Sequence, residues 1–260
     1  MINSSEAQQK FGFKFGQSGA HSSRTMMLSE LSQLFAGQSA DASFEQYRYD
    51  IQQANVLHKP TSKSRALTWR HLVDLYGMDI QLPLFRIFRQ LWEADDTARP
   101  LLTCQMALTR DPLLRLSKDK ILSLELGERL LREDMEQVMG EQCPDRFSPA
   151  TLKSLAQNVN GTWTNAGYLE GRNKKHRAEP QVRPVNVAFA LLLGYLQGAT
   201  GNRLFTTDWS KVLCCRHEQL LELARQASYS GLLTFKHSSE VVEVTFPDYL
   251  SKEEESWLYE

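Results

Sequence analysis

Apolar residues recur at three- and four-residue spacing along most of the chain, the pattern of amphipathic helices. Met27, Leu28, Leu31, Leu34 and Phe35 form one stripe after Ser22 and Ser23, and Gly37 closes it. Ser43 is placed to cap a second helix through Tyr47, Ile51 and Ala54. A third begins near Thr61, carries Ala66, Trp69, Leu72, Val73 and Tyr76, and stops at Gly77. Residues 82–92 and 99–108 predict two helices with dense apolar faces. Asp111-Pro112 interrupts the second, 113–124 continues, and 132–139 adds a short amphipathic piece. Residues 185–196 are nearly all apolar and predict a buried helix. The period then changes. A helix over 217–229 ends at Gly231, and 232–236 and 241–246 alternate as strands joined by His237-Ser238-Ser239-Glu240, with Phe235 facing Val242 or Val244. Near the N-terminus Phe11, Phe13 and Phe15 alternate with Gly12, Lys14 and Gly16, as a short strand or a packed aromatic arm, after a polar stretch over 1–9 expected to be disordered.

Between Ser148 and Arg183 the pattern is a helix, a stop and a basic arm. Ser148 suits an N-cap and Pro149 the first helical position, where no backbone N–H is needed. Leu152, Leu155, Val159 and Trp163 share one face; Lys153, Gln157, Asn160 and Thr164 share another, and all four can hydrogen-bond. Arg172, Lys174, Lys175, His176 and Arg177 follow. An amide-rich helix face beside clustered cations suits a base-reading helix next to a phosphate-gripping loop, as in helix-turn-helix and winged-helix proteins. The bland alternative is a surface helix followed by a solvated basic linker.

Net charge over 260 residues is −1, so a nucleic-acid site must come from local segregation of charge. Besides the basic arm, Lys59, Lys63, Arg65 and Arg70 stand in a stretch with no acid. Lys63 and Arg65 occupy the first turn of the helix after Thr61, where hydroxyls, N–H groups and cations suit a phosphate. The competing expectation is that these cations pair with Asp50 or Glu45. The last thirteen residues reverse the sign, with Asp248, Glu253, Glu254, Glu255 and Glu260 against Lys252, and read as a solvated acidic tail. Its Trp257-Leu258-Tyr259 tip suits a partner's groove.

Four cysteines, Cys104, Cys143, Cys214 and Cys215, show no C-x-x-C pair and fit a reducing cytoplasm. Cys214, Cys215 and His217 lack the two spaced ligand pairs of structural zinc. No apolar signal core or membrane span is visible. Phosphate-loop, dinucleotide, zinc-protease and nucleophile-elbow motifs are absent. A non-enzymatic protein without cofactor is expected.

The segment 64–169 resembles the BrxA family, small accessory proteins of bacterial BREX phage-defence systems. The residues concerned are Lys63-Ser64-Arg65-Ala66, the apolar helix over 101–108, Asp111-Pro112-Leu113-Leu114-Arg115, and Lys120, Ile121 and Leu122. Arg132-Glu133-Asp134 and Phe147-Ser148 follow, then a helix ending Ala166-Gly167-Tyr168-Leu169. The resemblance covers under half the chain. It implies a mostly helical, DNA-binding, non-enzymatic component that acts beside larger defence proteins.

The expected fold is mainly α, a helical bundle with winged-helix or helix-turn-helix elements and a small C-terminal β-hairpin. The expected parts are a flexible arm (1–20), a helical domain with the reader (21–180), a winged-helix-like domain (181–247) and the acidic tail (248–260). Duplex DNA is the expected partner, with Lys63, Arg65, Arg70, Arg172, Lys174, Lys175 and Arg177 on phosphates and Lys153, Gln157 and Asn160 toward a groove. A protein–protein adaptor and a transcription regulator are the rival expectations.

Overall fold

A computed structural model describes residues 5–238 and 241–259. The disorder expected over 1–9 therefore concerns described residues only from Ser5 onward, and Ser239 and Glu240 of the expected hairpin turn lie outside them.

The N-terminus differs from the flexible arm expected of it. Helix α1 (Ser5–Phe11) buries Ala7, Gln8 and Phe11. Phe13 is buried 6.0 Å from the Trp209 ring, while Phe15 is partly exposed. The Lys14 amide donates to Thr109 O, and Arg115 donates to Lys14 O at 2.6 Å. Two buried aromatic rings remove enough apolar surface from water to offset the cost of ordering this short segment. No strand forms over the alternating phenylalanines.

Helix α2 (Leu28–Ala36) starts later than Ser22 and Ser23 suggest. A short 3-10 turn (Ala20–Ser22) comes first, and Met27 precedes the helix with φ of 52°. Tertiary hydrogen bonds override local preference here. The His21 ring lies 2.8 Å from Asp111 Oδ2 and 2.8 Å from Thr162 Oγ1, and the Met26 amide donates to the same Thr162 oxygen. Helix α3 (Phe44–Gln52) is capped by Ser43 and α4 (Ser62–Tyr76) by Thr61, both with reciprocal capping boxes, as their sequences predict. Helices α5 (Pro83–Trp92) and α6 (Arg99–Arg110) form the centre. Asp111 accepts from the Leu114 amide and starts α7 (Pro112–Leu116); α8 (Lys118–Ser123) follows. The break between them falls at buried Ser117, whose hydroxyl accepts from the Trp163 indole at 2.7 Å.

Next come strand β1 (Arg129–Leu130), helices α9 (Arg132–Gln142) and α10 (Pro149–Asn165), and strands β2 (Leu169–Glu170) and β3 (Lys175–Arg177). The three strands form an antiparallel sheet in the order β1-β3-β2, with Arg129 opposite His176 and Leu169 opposite Arg177. The basic arm is therefore the second half of a hairpin and not a linker.

Helix α11 (Pro184–Leu196) is buried on nearly every side. It is followed by a 3-10 turn (Gly201–Thr206), α12 (Asp208–Val212), α13 (His217–Tyr229) and the hairpin of β4 (Thr234–Ser238) and β5 (Val241–Thr245), in which Phe235 faces Val244. No helix among the described residues is long and apolar enough to cross a membrane. One set of contacting buried apolar side chains runs from Phe11 to Phe246. It continues across residue 180: Gln105 donates to Asn186 O at 2.9 Å, and Tyr168 donates to Val212 O at 2.5 Å.

The expected acidic tail is instead docked. Helix α14 (Lys252–Ser256) presents Glu254, which is buried and takes both oxygens to Arg86 at 2.9 and 2.7 Å. Trp257 packs 5.4 Å from Phe11, with Lys10 over its ring, and Leu258 also packs on the core. These two residues of the expected tip are thus occupied within the chain, while Tyr259 stays exposed.

Candidate nucleic-acid interface

The long helix α10 has an inner face set by Leu155, Val159 and Trp163, all fully buried. Its outer face carries Ala150, Lys153, Ser154, Gln157 and Asn165, all exposed, with Gly161 and Thr164 half-buried. The helix contains no acidic residue over 17 positions. A face of small and hydrogen-bonding groups without carboxylates approaches a polyanion without repulsion. Asn160 does not belong to this face. It is buried, with its Oδ1 unpaired among the described residues. Seven residues after Lys153, the helix has drifted back by about 20°, which turns Asn160 toward buried Ala156 and Trp163. Its placement toward a groove is corrected accordingly.

The hairpin following α10 turns at Gly171, which has φ of 89°; a Cβ there would stand 2.1 Å from Lys174 O. Only glycine fits this turn. Residues 171–174 are all exposed, so Arg172 and Lys174 project at the tip, with no ion-pair partner among the described residues. Lys175 is half-buried; its ammonium donates to Gly171 O at 2.7 Å, and burial lowers its pKa. Arg177 is a second correction. It is buried, donates to Tyr168 O, Ala178 O and Cys214 Sγ, and lies over the Tyr168 ring at 5.4 Å. Its two terminal nitrogens are bonded inside the fold and its buried Nε has no partner among the described residues, so the guanidinium does not face a phosphate.

On α4, Lys63 and Arg70 are exposed and make no ion pair among the described residues, while Arg65 is half-buried with an unpaired Nε. The expected alternative partners are engaged elsewhere: Glu45 pairs with Arg48 at 2.5 Å, and Asp50 accepts from Gln38. Some cations elsewhere are matched, as in Arg86–Glu254, Lys118–Asp208 and Arg183–Asp95. Exposed Arg129, Arg203, Arg216 and Lys252, however, also make no ion pair among the described residues. The tip of the β2–β3 hairpin and the α4 flank are therefore two of several uncompensated positive positions. They are distinguished by lying next to the acid-free helix α10 and on α4, whose first turn carries no acid.

The segment 21–26 joins these parts. Asn158 donates to His21 O at 3.1 Å, and a Cβ on Gly161 would stand 3.1 Å from Thr25 Cγ2, so the segment lies along α10. Its 3-10 turn also packs on α4. Arg24, half-buried in this segment, bears electrostatically on His71 of α4 together with Arg70. Arg24 was not legible as a site residue, because nothing in its local sequence places it between two distant helices. The anchor is the His21–Asp111–Thr162 network, each member no more than 1% exposed. Burial by itself would raise the Asp111 carboxyl, but His21 and two backbone amides hold it below the usual carboxylate value. The network has the residue types of a catalytic triad, yet it is sealed from solvent and serves to pin the segment to α10. Among the described residues no group of three His, Cys, Asp or Glu side chains is placed to hold a metal ion.

No protein-family model and no curated protein matches this chain.

Proposed function

We propose that the chain is a non-enzymatic, duplex-DNA-binding protein in which β1, α9, α10, β2 and β3 form a winged helix. The strand order β1-β3-β2 around two helices, with a hairpin after the second, supports that reading. Helix α10 lies toward the major groove, and the 171–174 turn is the wing. The observation that carries the function is the acid-free outer face of α10, bordered by the unpaired cations Arg172 and Lys174. Few groups on it reach base edges, so sequence preference is weak and phosphate contacts dominate affinity.

The test is anisotropy of the full chain on a random-sequence duplex across a salt series. Lys63, Arg70, Lys153, Arg172 and Lys174 together give a log–log slope of about −4.5. Changing Arg172 and Lys174 to Ala brings the slope about two closer to zero. A folded protein that leaves the duplex free at low salt overturns the reading.

A role beside larger proteins of a BREX-type phage-defence system rests on the resemblance over 64–169. Deleting the gene from its native locus and plating phage tests it. A second reading, protein docking, is favoured for the C-terminal unit alone. Helices α11, α12 and α13 followed by a hairpin repeat the winged-helix order. Exposed Glu218 and Glu222 on α13, beside Tyr229 at 84% exposure, make that face a poor match for phosphate.

A further inference from the structure

His71 is an unusual resident of α4. It is 5% exposed, and neither ring nitrogen has a hydrogen-bond partner among the described residues. Buried polar groups without partners are costly and call for an explanation. Around it stand charges of mostly one sign. Arg70 precedes it on the helix, and Arg24, whose guanidinium donates to Ser23 O at 2.8 Å, stands just after the 3-10 turn that packs on α4. Both weigh electrostatically on the ring. Asp74, one turn on, is the opposing charge, but Lys14 occupies it at 3.0 Å. The remaining neighbours offer little compensation. His21 of the 3-10 turn is bonded to Asp111 and Thr162. Arg110 of α6 is spent on Gly12 O and Val73 O. On α3, Glu45 and Arg48 pair with each other, and Asp50 accepts from Gln38.

We propose that Arg24 and Arg70 form a site for one backbone phosphate, and that filling this site draws a proton onto the buried imidazole of His71. The proposal rests on the DNA-binding reading and adds to it a contact, Arg24, and a proton linkage. In the free protein burial, then Arg24 and Arg70, lower the His71 pKa, so the ring is neutral. A phosphodiester held by the two guanidiniums offsets their repulsion and adds an attraction of its own. The imidazolium is then favoured relative to the free state. Linkage is reciprocal: if the anion raises proton affinity, protons raise anion affinity by the same factor. The sign follows. Affinity is highest below the free-state pKa, falls as pH rises from there, and levels off above the bound-state pKa. Between the free and bound values the change approaches tenfold per pH unit for one proton.

Two measurements on the full chain test this. The first is duplex affinity from about pH 5.5 to 8, at constant salt, for wild type, His71→Gln, Arg24→Ala and His176→Gln. Wild type and His176→Gln should share a slope that His71→Gln lacks, and Arg24→Ala should lose both affinity and slope. The second follows the His71 ring resonances by NMR while inorganic pyrophosphate is added. The ring should titrate at higher pH with pyrophosphate present, and Arg24→Ala should abolish that shift while its melting curve shows a folded protein. An identical pH slope in wild type and His71→Gln overturns the proposal, as does a His71 titration that pyrophosphate leaves unmoved. If the duplex fails to bind at every pH while pyrophosphate still moves His71, the DNA reading falls and the anion site stands.

Discussion

At the scale of single residues, burial separates cations that look alike in sequence. Arg172, Lys174 and Arg177 stand within six positions, yet the first two are exposed and the third is buried with its donors on Tyr168 O, Ala178 O and Cys214 Sγ. The alternation of a strand explains the difference. Arg177 ends β3 opposite Leu169 and shares that residue's buried side, whereas Arg172 and Lys174 sit in the turn. Arg177→Ala should therefore cost about 2–4 kcal/mol of stability, since it strips partners from buried carbonyls and leaves a cavity beside Tyr168. Arg172→Ala and Lys174→Ala should each stay within about 0.5 kcal/mol, as exposed substitutions do. Urea denaturation of the three variants checks this. Equal losses would mean that Arg177 carries no more structural weight than a surface cation.

At the scale of elements, legibility followed the range of the forces involved. Helices α3, α4 and α10 were readable because their starts are set by local caps at Ser43, Thr61 and Ser148. The start of α2 was not, because Thr162 and Asp111, distant in sequence, hold residues 21–26 out of the helix. The β1–β3–β2 sheet was missed for a different reason. Its strands span two or three residues, too few for alternation to register. A turn signal is present in Gly171-Arg172-Asn173-Lys174, but the cations around it point to a phosphate-gripping loop and give no register for strands. On α10, Lys153 and Gln157 are exposed whereas Asn160, expected on the same face, is buried, because helical drift decides burial there. The tightness of that turn gives a test of the hairpin as a unit. Gly171→Ala forces a Cβ toward Lys174 O at a positive φ. It should destabilise the protein by about 1–3 kcal/mol. Because the hairpin aims Arg172 and Lys174, duplex affinity should fall as well, although no charge is removed. Hydrogen exchange of the β3 amides would show the opening; unchanged protection and affinity would mean that the turn does not organise the wing.

At the scale of the whole molecule, the two ends of the chain close on one another. The polar start and acidic finish both read as free segments, since neither has a long apolar stripe. A ring from each meets the other: Phe11 of α1 lies 5.4 Å from Trp257. The charge pattern was equally misleading in isolation. Glu254 sits in a run of three glutamates, yet it alone is buried, capping α14 through Ser251 while both its oxygens take Arg86 of α5. A carboxylate in that position is held by geometry that composition cannot show, because its partner is 168 residues away. The consequence is that residues 248–259 belong to the folded body and brace α5, which packs on α6 and α11 at the centre of the core. Trp257→Ala should remove about 1–2 kcal/mol, lowering Tm by about 3–6 °C for a chain of this size. Truncation after Pro247 should lower it further, since Tyr249, Leu250 and Leu258 also pack on the core. Duplex binding at low temperature should survive both changes, because the clasp lies on different elements from α10 and the 171–174 turn. A truncated chain that melts with wild type would show the clasp to be energetically idle. One that keeps its melting point but changes its DNA affinity would instead make the acidic segment a competitor for the cationic face.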